Sequence, residues 1–182
     1  MKLNIIGASV VSALLFSAAA SAADPVIVNG GTVHFTGELV NAACAVSTES
    51  SNQTVELGQY RTAKLAASGD MSTPVPFKIK LVDCDPAVAT TAAVAFSGQS
   101  MTGDATLLAV NSGTNAPAAQ NVGIQISDTA SKVLSPSGAD FSATKTLIQG
   151  TNVLDFTARY VAKGATTPGQ ANADATFVVK YE

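Results

Sequence analysis

The stretch that decides the fold is Ile27-Val28-Asn29-Gly30-Gly31-Thr32-Val33-His34-Phe35. It alternates weakly at period two. A strand presents alternate side chains to opposite faces, so Val33 and Phe35 can enter a core together. A glycine inside a strand often marks a place where another backbone comes close. Such a strand pairs either within its own chain or with another chain, and this choice decides both the fold and the function.

The residues upstream of this stretch have the pattern of a processing segment. Lys2 supplies a positive start, a run of small apolar residues follows, and Ala20-Ser21-Ala22 is an A-x-A cleavage pattern. The run is short and rich in Ala and Ser, which favours a signal peptide over residues 1–22 rather than a membrane anchor. We expect an exported mature chain that starts at Ala23.

Composition limits the classes of function. Charged residues make up 13% of the 182 residues, about half the usual share, and a surface poor in charge is less protected against association. The net charge of −3 gives no basic footprint for nucleic acid or an anionic membrane. Because the chain has no Trp and only 5% aromatic residues, an aromatic sugar-binding platform is not expected.

The sequence offers no set of residues typical of an enzyme. Its single histidine, His34, lies in the predicted first strand, and neither a G-x-S-x-G motif nor a phosphate-binding glycine loop is present. Asp83 and Asp85 lie close together, but a calcium loop needs more oxygen ligands. We therefore expect no catalytic residue, no metal site and no cofactor. A pair of carboxylates for glycoside hydrolysis stays open, because their spacing is a property of tertiary structure.

The two cysteines, Cys44 and Cys84, both follow the predicted signal peptide. In an exported protein an even pair predicts a disulfide, whereas two cysteines without further ligands cannot make a structural zinc site. The bridge spans 84 − 44 = 40 positions. Loop-closure entropy for a bridge of that length gives roughly 4 kcal/mol.

The rest of the chain is a series of short apolar segments separated by turns. The clearest half-buried strand is 77–84, with Phe77, Ile79 and Leu81 on one face, and the longest alternation is 151–162. Further strands are predicted at 38–46, 53–57, 92–96, 105–110, 121–126, 132–134 and 174–182, with a helical turn within 61–70 and an ambiguous segment at 141–148. Eight or nine short strands indicate an all-β sandwich in one domain.

With these segments in place, the sequence resembles the chaperone–usher pilins, and among them the major subunits of type 1 fimbriae. The resemblance covers the whole chain and rests on the motifs 29–35, 40–46, 82–85, 121–126, 158–160 and 168–177. It includes a C-terminal signature of that family, a glycine 14th from the end, here Gly169, and a penultimate tyrosine, here Tyr181.

The resemblance implies an incomplete immunoglobulin-like sandwich that lacks its last strand. Residues 23–37 are then an N-terminal donor-strand extension, and residues 38–182 are the pilin domain. A strand of a periplasmic chaperone first fills the groove, and at the outer-membrane usher the extension of the next subunit replaces it. The implied donor residues are Ile27, Asn29, Gly31, Val33 and Phe35, and the implied acceptor and chaperone-binding residues are Gly169, Ala175, Phe177, Val179 and Tyr181.

The implied function is that of a major subunit, which polymerises with identical subunits into an extracellular fimbrium that also carries minor pilins and a tip adhesin. A minor adaptor pilin stays open as an alternative. A tip adhesin needs an added receptor-binding domain, for which the expected 182 − 22 = 160 mature residues leave no room. A self-complete secreted sandwich that acts as a binding module predicts instead a monomer whose N-terminal segment pairs within its own chain.

Overall fold

The computed structural model describes residues 26–112 and 117–182. The signal peptide predicted for residues 1–22 and the first predicted donor residues, 23–25, lie outside these ranges. The chain divides into two units, residues 1–38 and residues 39–182. In the first unit, residues 26–38 form neither helix nor strand, and their side chains are exposed.

The second unit is built from β-strands. They are β1 (Ala45–Val46), β2 (Val75–Cys84), β3 (Thr91–Gly98), β4 (Ser100–Met101), β5 (Asp104–Ala109), β6 (Val122–Asp128), β7 (Val133–Leu134), β8 (Lys145–Thr146), β9 (Gly150–Ala162) and β10 (Ala175–Tyr181). The helical structure in the described residues is limited to α1 (Thr48–Ser51) and a 3-10 turn at Thr62–Lys64.

The strands form two antiparallel sheets. The larger sheet has the order β1-β2-β9-β6-β5-β4, with β7 also paired to β6, and the smaller one has the order β10-β3-β8. In the middle of the larger sheet, β2 pairs with β9 in the register that places Phe77 opposite Phe156. The prediction of an all-β sandwich is therefore confirmed.

Aromatic side chains from both sheets meet in the core. Phe96 of β3 contacts Phe156 of β9 edge to face, with ring centroids 5.2 Å apart, and Phe77 of β2 stacks on Phe156 at 5.6 Å. Aromatic pairs of this geometry add about 0.5–1.5 kcal/mol beyond the area that they bury. The alternation predicted for β9 is confirmed, since its inward residues are all buried: Leu154, Phe156, Ala158, Tyr160 and Ala162.

The predicted disulfide between Cys44 and Cys84 is confirmed. Both cysteines are buried, and the bridge joins the residue before β1 to the last residue of β2. The backbone N–H of Asp85 donates to the carbonyl of Ala43 at 2.9 Å beside the bridge. The covalent link therefore fixes β1 to the edge of the larger sheet.

Two segment predictions near the N-terminus are wrong in whole or in part. Residues 27–35, predicted as a strand that pairs within its own chain or with another, have no strand partner in the described part of this chain, so pairing with another chain stays a prediction. Of the strand predicted at 38–46, only Ala45–Val46 forms, and Val40, expected on the buried side, is 55% exposed. The strand predicted at 53–57 is absent, although its alternation persists as half-buried side chains at Val55 and Leu57.

Next to β1, the side chains of residues 50 and 53 bond to the backbone of β2 in place of a paired strand. The hydroxyl of Ser50 in α1 accepts a hydrogen bond from the N–H of Lys80 at 2.9 Å, and the side-chain amide of Gln53 donates to the carbonyl of Lys78 at 3.2 Å. These groups satisfy part of the edge without a strand. The remaining strand predictions overlap β2, β3, β5, β6, β7, β9 and β10, the ambiguous segment contains β8, and the predicted helical turn contains the 3-10 turn.

Candidate strand-acceptor groove

The last strand, β10, leaves one edge open. It pairs with β3, and no other strand within the described ranges pairs with it. The N–H of Glu182 donates to the carbonyl of Thr91 at 3.1 Å, and the N–H of Thr91 donates back at 2.9 Å. In an antiparallel ladder such mutual pairs alternate, so the even-numbered residues bond to β3. The N–H and C=O groups that point to the open edge belong to Ala175, Phe177, Val179 and Tyr181.

Three of these residues also line the core. Phe177, Val179 and Tyr181 are partly buried and pack against the core cluster, and the ring of Phe177 lies 6.4 Å from that of Phe96. Val178, which faces the other side of the sheet, is 50% exposed. One set of residues therefore offers both unpaired backbone groups and apolar surface, the combination that recognition by strand addition requires.

Tyr181 ties the end of β10 to the larger sheet. Its hydroxyl donates to the backbone carbonyl of Cys44 at 3.2 Å. Burial raises the pKa of the Tyr181 hydroxyl above its ordinary value of 10, so the group stays a neutral donor at physiological pH. This contact places one end of the groove beside the disulfide.

A cavity of about 750 Å³ is lined in part by the residues that precede β10 in the chain. Residues 58–63 and 166–172 form its two walls, together with Leu65, Ala119, Val122 and Tyr160. The hydroxyl of Tyr160 donates to the carbonyl of Ala171 at 2.9 Å, and Tyr60 packs edge to face on Tyr160 at 6.0 Å. Burial, and to a lesser extent Tyr60 and Glu56, raises the pKa of Tyr160. The alternation of 151–162 placed Tyr160 on the inward face, but it did not predict the hydrogen bond to residue 171 or the contact with Tyr60, because both contacts are tertiary.

Gly169 lies where two backbone segments come together. A Cβ at this position would lie 2.5 Å from the backbone nitrogen of Ala119 and 2.7 Å from the carbonyl oxygen of Pro117. The adjacent Gln170 exchanges hydrogen bonds of 2.8 Å with these same two residues. A glycine is required here by this close approach. The sequence marked Gly169 only through the family signature, because its neighbours were assigned to a polar loop.

The residues implied as donors carry a concentration of exposed apolar side chains. Ile27 is 93% exposed, Val33 72% and Phe35 92%. Gly31 has a φ of +110°, and Asn29 accepts a hydrogen bond from its N–H. Contiguous exposed apolar side chains are typical of interaction surfaces. Their role as a donor strand stays a prediction.

Ten charged residues of the described part of the chain form five ion pairs. In one of them, Lys78 of β2 pairs with Asp155 at 3.5 Å. Asp128, the one buried carboxylate in residues 26–112 and 117–182, accepts backbone N–H groups at 2.8–2.9 Å. In those ranges no group of three or more His, Cys, Asp or Glu side chains could hold a metal ion. The helices described there are also too short or too polar to cross a membrane.

Comparison with known proteins places these features in one family. A family model described as fimbrial protein matches residues 33–182. The chain is 58% identical to the type-1 fimbrial protein, A chain, of Salmonella typhi and 52% identical to the fimbrial subunit type 1 of Klebsiella pneumoniae. Each alignment covers 100% of both chains.

Solved structures share the fold. A chaperone–usher pilus structure that describes the molecular basis of rod uncoiling matches with a TM-score of 0.71 and 31% identity, over 87% of this chain and 99% of that one. The crystal structure of the P pilus rod subunit PapA matches with a TM-score of 0.66 and 27% identity, over 78% and 100%. The expected immunoglobulin-like class of these pilins is thereby confirmed. The chain belongs to the fimbrial protein family, as a structural subunit of the type-1 fimbrial kind.

Proposed function

We propose that this subunit polymerises by donor-strand exchange, in which residues 27–35 of one copy pair with the open edge of β10 in the next. The observation that carries the proposal is that Phe177, Val179 and Tyr181 combine apolar side chains with unpaired backbone groups. Each turns a half-buried side chain to the core and its backbone N–H and C=O groups to an edge without a neighbouring strand in the described residues. The result is a homopolymer, the rod of a type-1-like fimbria, with this chain as its major subunit.

The two partners of the exchange match in length. The five alternate donor residues from Ile27 to Phe35 span eight residue steps, or roughly 27 Å at about 3.4 Å per residue. On the acceptor side, β10 spans six steps from Ala175 to Tyr181. Ala173, two residues before the strand, is also partly buried against the core and extends the apolar face to eight steps. Burying Val33 and Phe35, now exposed, gives about 1.5–3 kcal/mol each. Main-chain hydrogen bonds add affinity, and the side chains select the register.

The same edge explains why the subunit needs helpers before assembly. An unpaired strand edge flanked by apolar side chains is a template for aggregation. A periplasmic chaperone that adds its own strand beside β10 covers the edge, and an outer-membrane usher is the place where the donor replaces that strand. The finished fimbrium lies outside the cell and is joined to minor pilins and a tip adhesin.

Strand complementation tests the proposal. The oxidised domain 38–182 is unfolded in denaturant with and without a peptide of residues 23–37. A ligand that binds only the folded state adds about 4 kcal/mol at a thousandfold excess over its Kd. We expect a saturable shift of this size or larger, and no shift with the peptide that carries Phe35→Asp. A domain that is already stable and ignores the peptide is complete by itself, which would refute exchange and favour a self-contained binding module.

A further inference from the structure

The sequence Asn29-Gly30 has a chemical reactivity that strand exchange does not use. It is the one Asn-Gly pair in the 182 residues. Both residues are exposed and lie outside helix and strand. A Cβ built on Gly30 would find no atom within 4 Å, so the side of Gly30 that a side chain would occupy is open. The N–H of Gly31 donates to Oδ1 of Asn29 at 3.3 Å.

These contacts favour attack on the Asn29 side chain. The Gly30 nitrogen can reach Cγ of Asn29 to close a five-membered ring, and the absence of a Cβ on Gly30 removes the usual steric barrier to that approach. The hydrogen bond from Gly31 draws electron density from the side-chain carbonyl and makes Cγ more electrophilic. Asn152 offers a contrast, because its side-chain amide donates to the carbonyl of Ile148 at 2.7 Å.

We propose that Asn29 is a site of spontaneous deamidation in the unassembled subunit. The Gly30 nitrogen loses its proton to solvent base and forms a bond to Cγ. The Cγ–Nδ2 bond breaks, and Nδ2 takes up a proton and leaves as ammonia. Water then opens the succinimide. Cleavage at the side-chain carbonyl gives aspartate, and cleavage at the backbone carbonyl gives isoaspartate, in which the main chain runs through Cβ.

The consequence for assembly rests on the proposed donor role of this segment. Asn29 is in phase with Val33 and Phe35, so in the donor strand its side chain faces the groove. Aspartate there places a charge in a desolvated site, which is costly without a partner. Isoaspartate adds one atom to the main chain, which breaks the period-two register upstream of Gly30. Either product weakens the donor.

Assembly protects the same residue. Ring closure requires the backbone of Asn29 to leave the extended conformation, and a donor strand held in a ladder keeps it extended. Subunits in a polymer therefore retain Asn29, whereas free subunits lose it with time. Deamidation of Asn29 therefore lowers, with time, the fraction of unassembled subunits that can polymerise.

The first test measures the reaction itself. The exported chain, purified unassembled, is incubated in mildly alkaline buffer and sampled for peptide mass mapping and for labelling by an isoaspartyl methyltransferase. We expect conversion at Asn29 to proceed while Asn152 stays intact, and the Gly30→Ala variant to lose the signal over the same incubation. Conversion at Asn29 no faster than at Asn152 would overturn the proposal.

The second test measures the consequence in the full chain. Fresh chain, aged chain and the variants Asn29→Asp and Asn29→Gln are compared as donors to the groove of the domain 38–182. We expect the aged chain to lose donor activity in proportion to its converted fraction, and the Asp variant, which reproduces one of the two products, to be a weaker donor than fresh chain. The Gln variant, compared with its own fresh sample, should lose no activity on ageing. Equal donor activity of fresh and fully converted chain would refute the effect of deamidation on assembly. If fresh chain already fails as a donor, the proposed exchange is wrong, while mass mapping still decides the deamidation.

Discussion

Replacing Gly169 by Ala tests how the segment that precedes β10 is held. The added Cβ would lie 2.5 Å from the nitrogen of Ala119, about 0.9 Å closer than an ordinary contact of roughly 3.4 Å. The atoms it meets belong to the backbone of Pro117, Ala118 and Ala119, which cannot rotate away as a side chain can. The two segments must separate, and the hydrogen bonds of Gln170 lengthen.

Overpacking of this kind costs typically about 1–3 kcal/mol. With a urea m-value of about 2 kcal/mol/M, a loss near 2 kcal/mol lowers the unfolding midpoint by about 1 M. We also expect Gly169→Ala to weaken binding of the donor peptide, because residue 169 lines the cavity formed in part by the residues that precede β10. Urea unfolding of the oxidised domain, with and without the peptide, measures both effects.

Two glycines serve as matched controls. Gly37 has open space around its Cβ position and no positive φ, so Gly37→Ala, measured in the full oxidised chain because residue 37 precedes the domain 38–182, should leave the midpoint unchanged. Gly58 also has open space but a φ of +80°, so Gly58→Ala isolates backbone strain of about 1 kcal/mol. If Gly169→Ala unfolds at the wild-type urea concentration, the close approach of the two backbones is not what requires glycine.

Three further perturbations follow from single contacts. Ala at both cysteines should lower the free energy of unfolding by about 4 kcal/mol, measured by urea titration against the oxidised wild type. Hydrogen bonds from Thr106 and Lys163 lower the pKa of Asp104 from 3.8 to about 2. The ionised carboxylate therefore stabilises the fold above pH 3.8, and this contribution is lost as the pH falls towards 2. Between these two pH values the wild type should lose about 1 kcal/mol of unfolding free energy that Asp104→Asn does not lose, measured by urea titration at each pH. Tyr181→Phe should lower the free energy of unfolding by about 1 kcal/mol near neutral pH. Because burial raises the pKa of Tyr181, the wild type should lose this advantage only as the pH rises above 10. Thermal melting of both proteins across this pH range measures the difference.

The alternation in the chain predicted strands that bury one face, whether they have two neighbouring strands, like β2 and β9, or one, like β10. In β2 and β9, period-two patterning identified the inward residues, because burial of one face decides which residues can be apolar. The disulfide was also predictable, since two cysteines in an exported chain have one intramolecular pairing. The strands predicted at 38–46 and 53–57 form only in part or not at all, because their pairing with β2 is incomplete. Residues 53–57 keep the alternation but not the ladder, because Gln53 reaches the edge of β2 by its side chain.

By itself, the sequence determined that this protein is an all-β subunit with an apolar, glycine-containing segment near its N-terminus and a final strand with one apolar face. Local period and composition carry that information. Only the tertiary structure decided that the backbone groups of Phe177, Val179 and Tyr181 face an open edge, and that Gly169 touches the backbone of residues 117–119. Hydrogen-bond register and backbone approach join residues far apart in the chain, and no local pattern records which partners will meet.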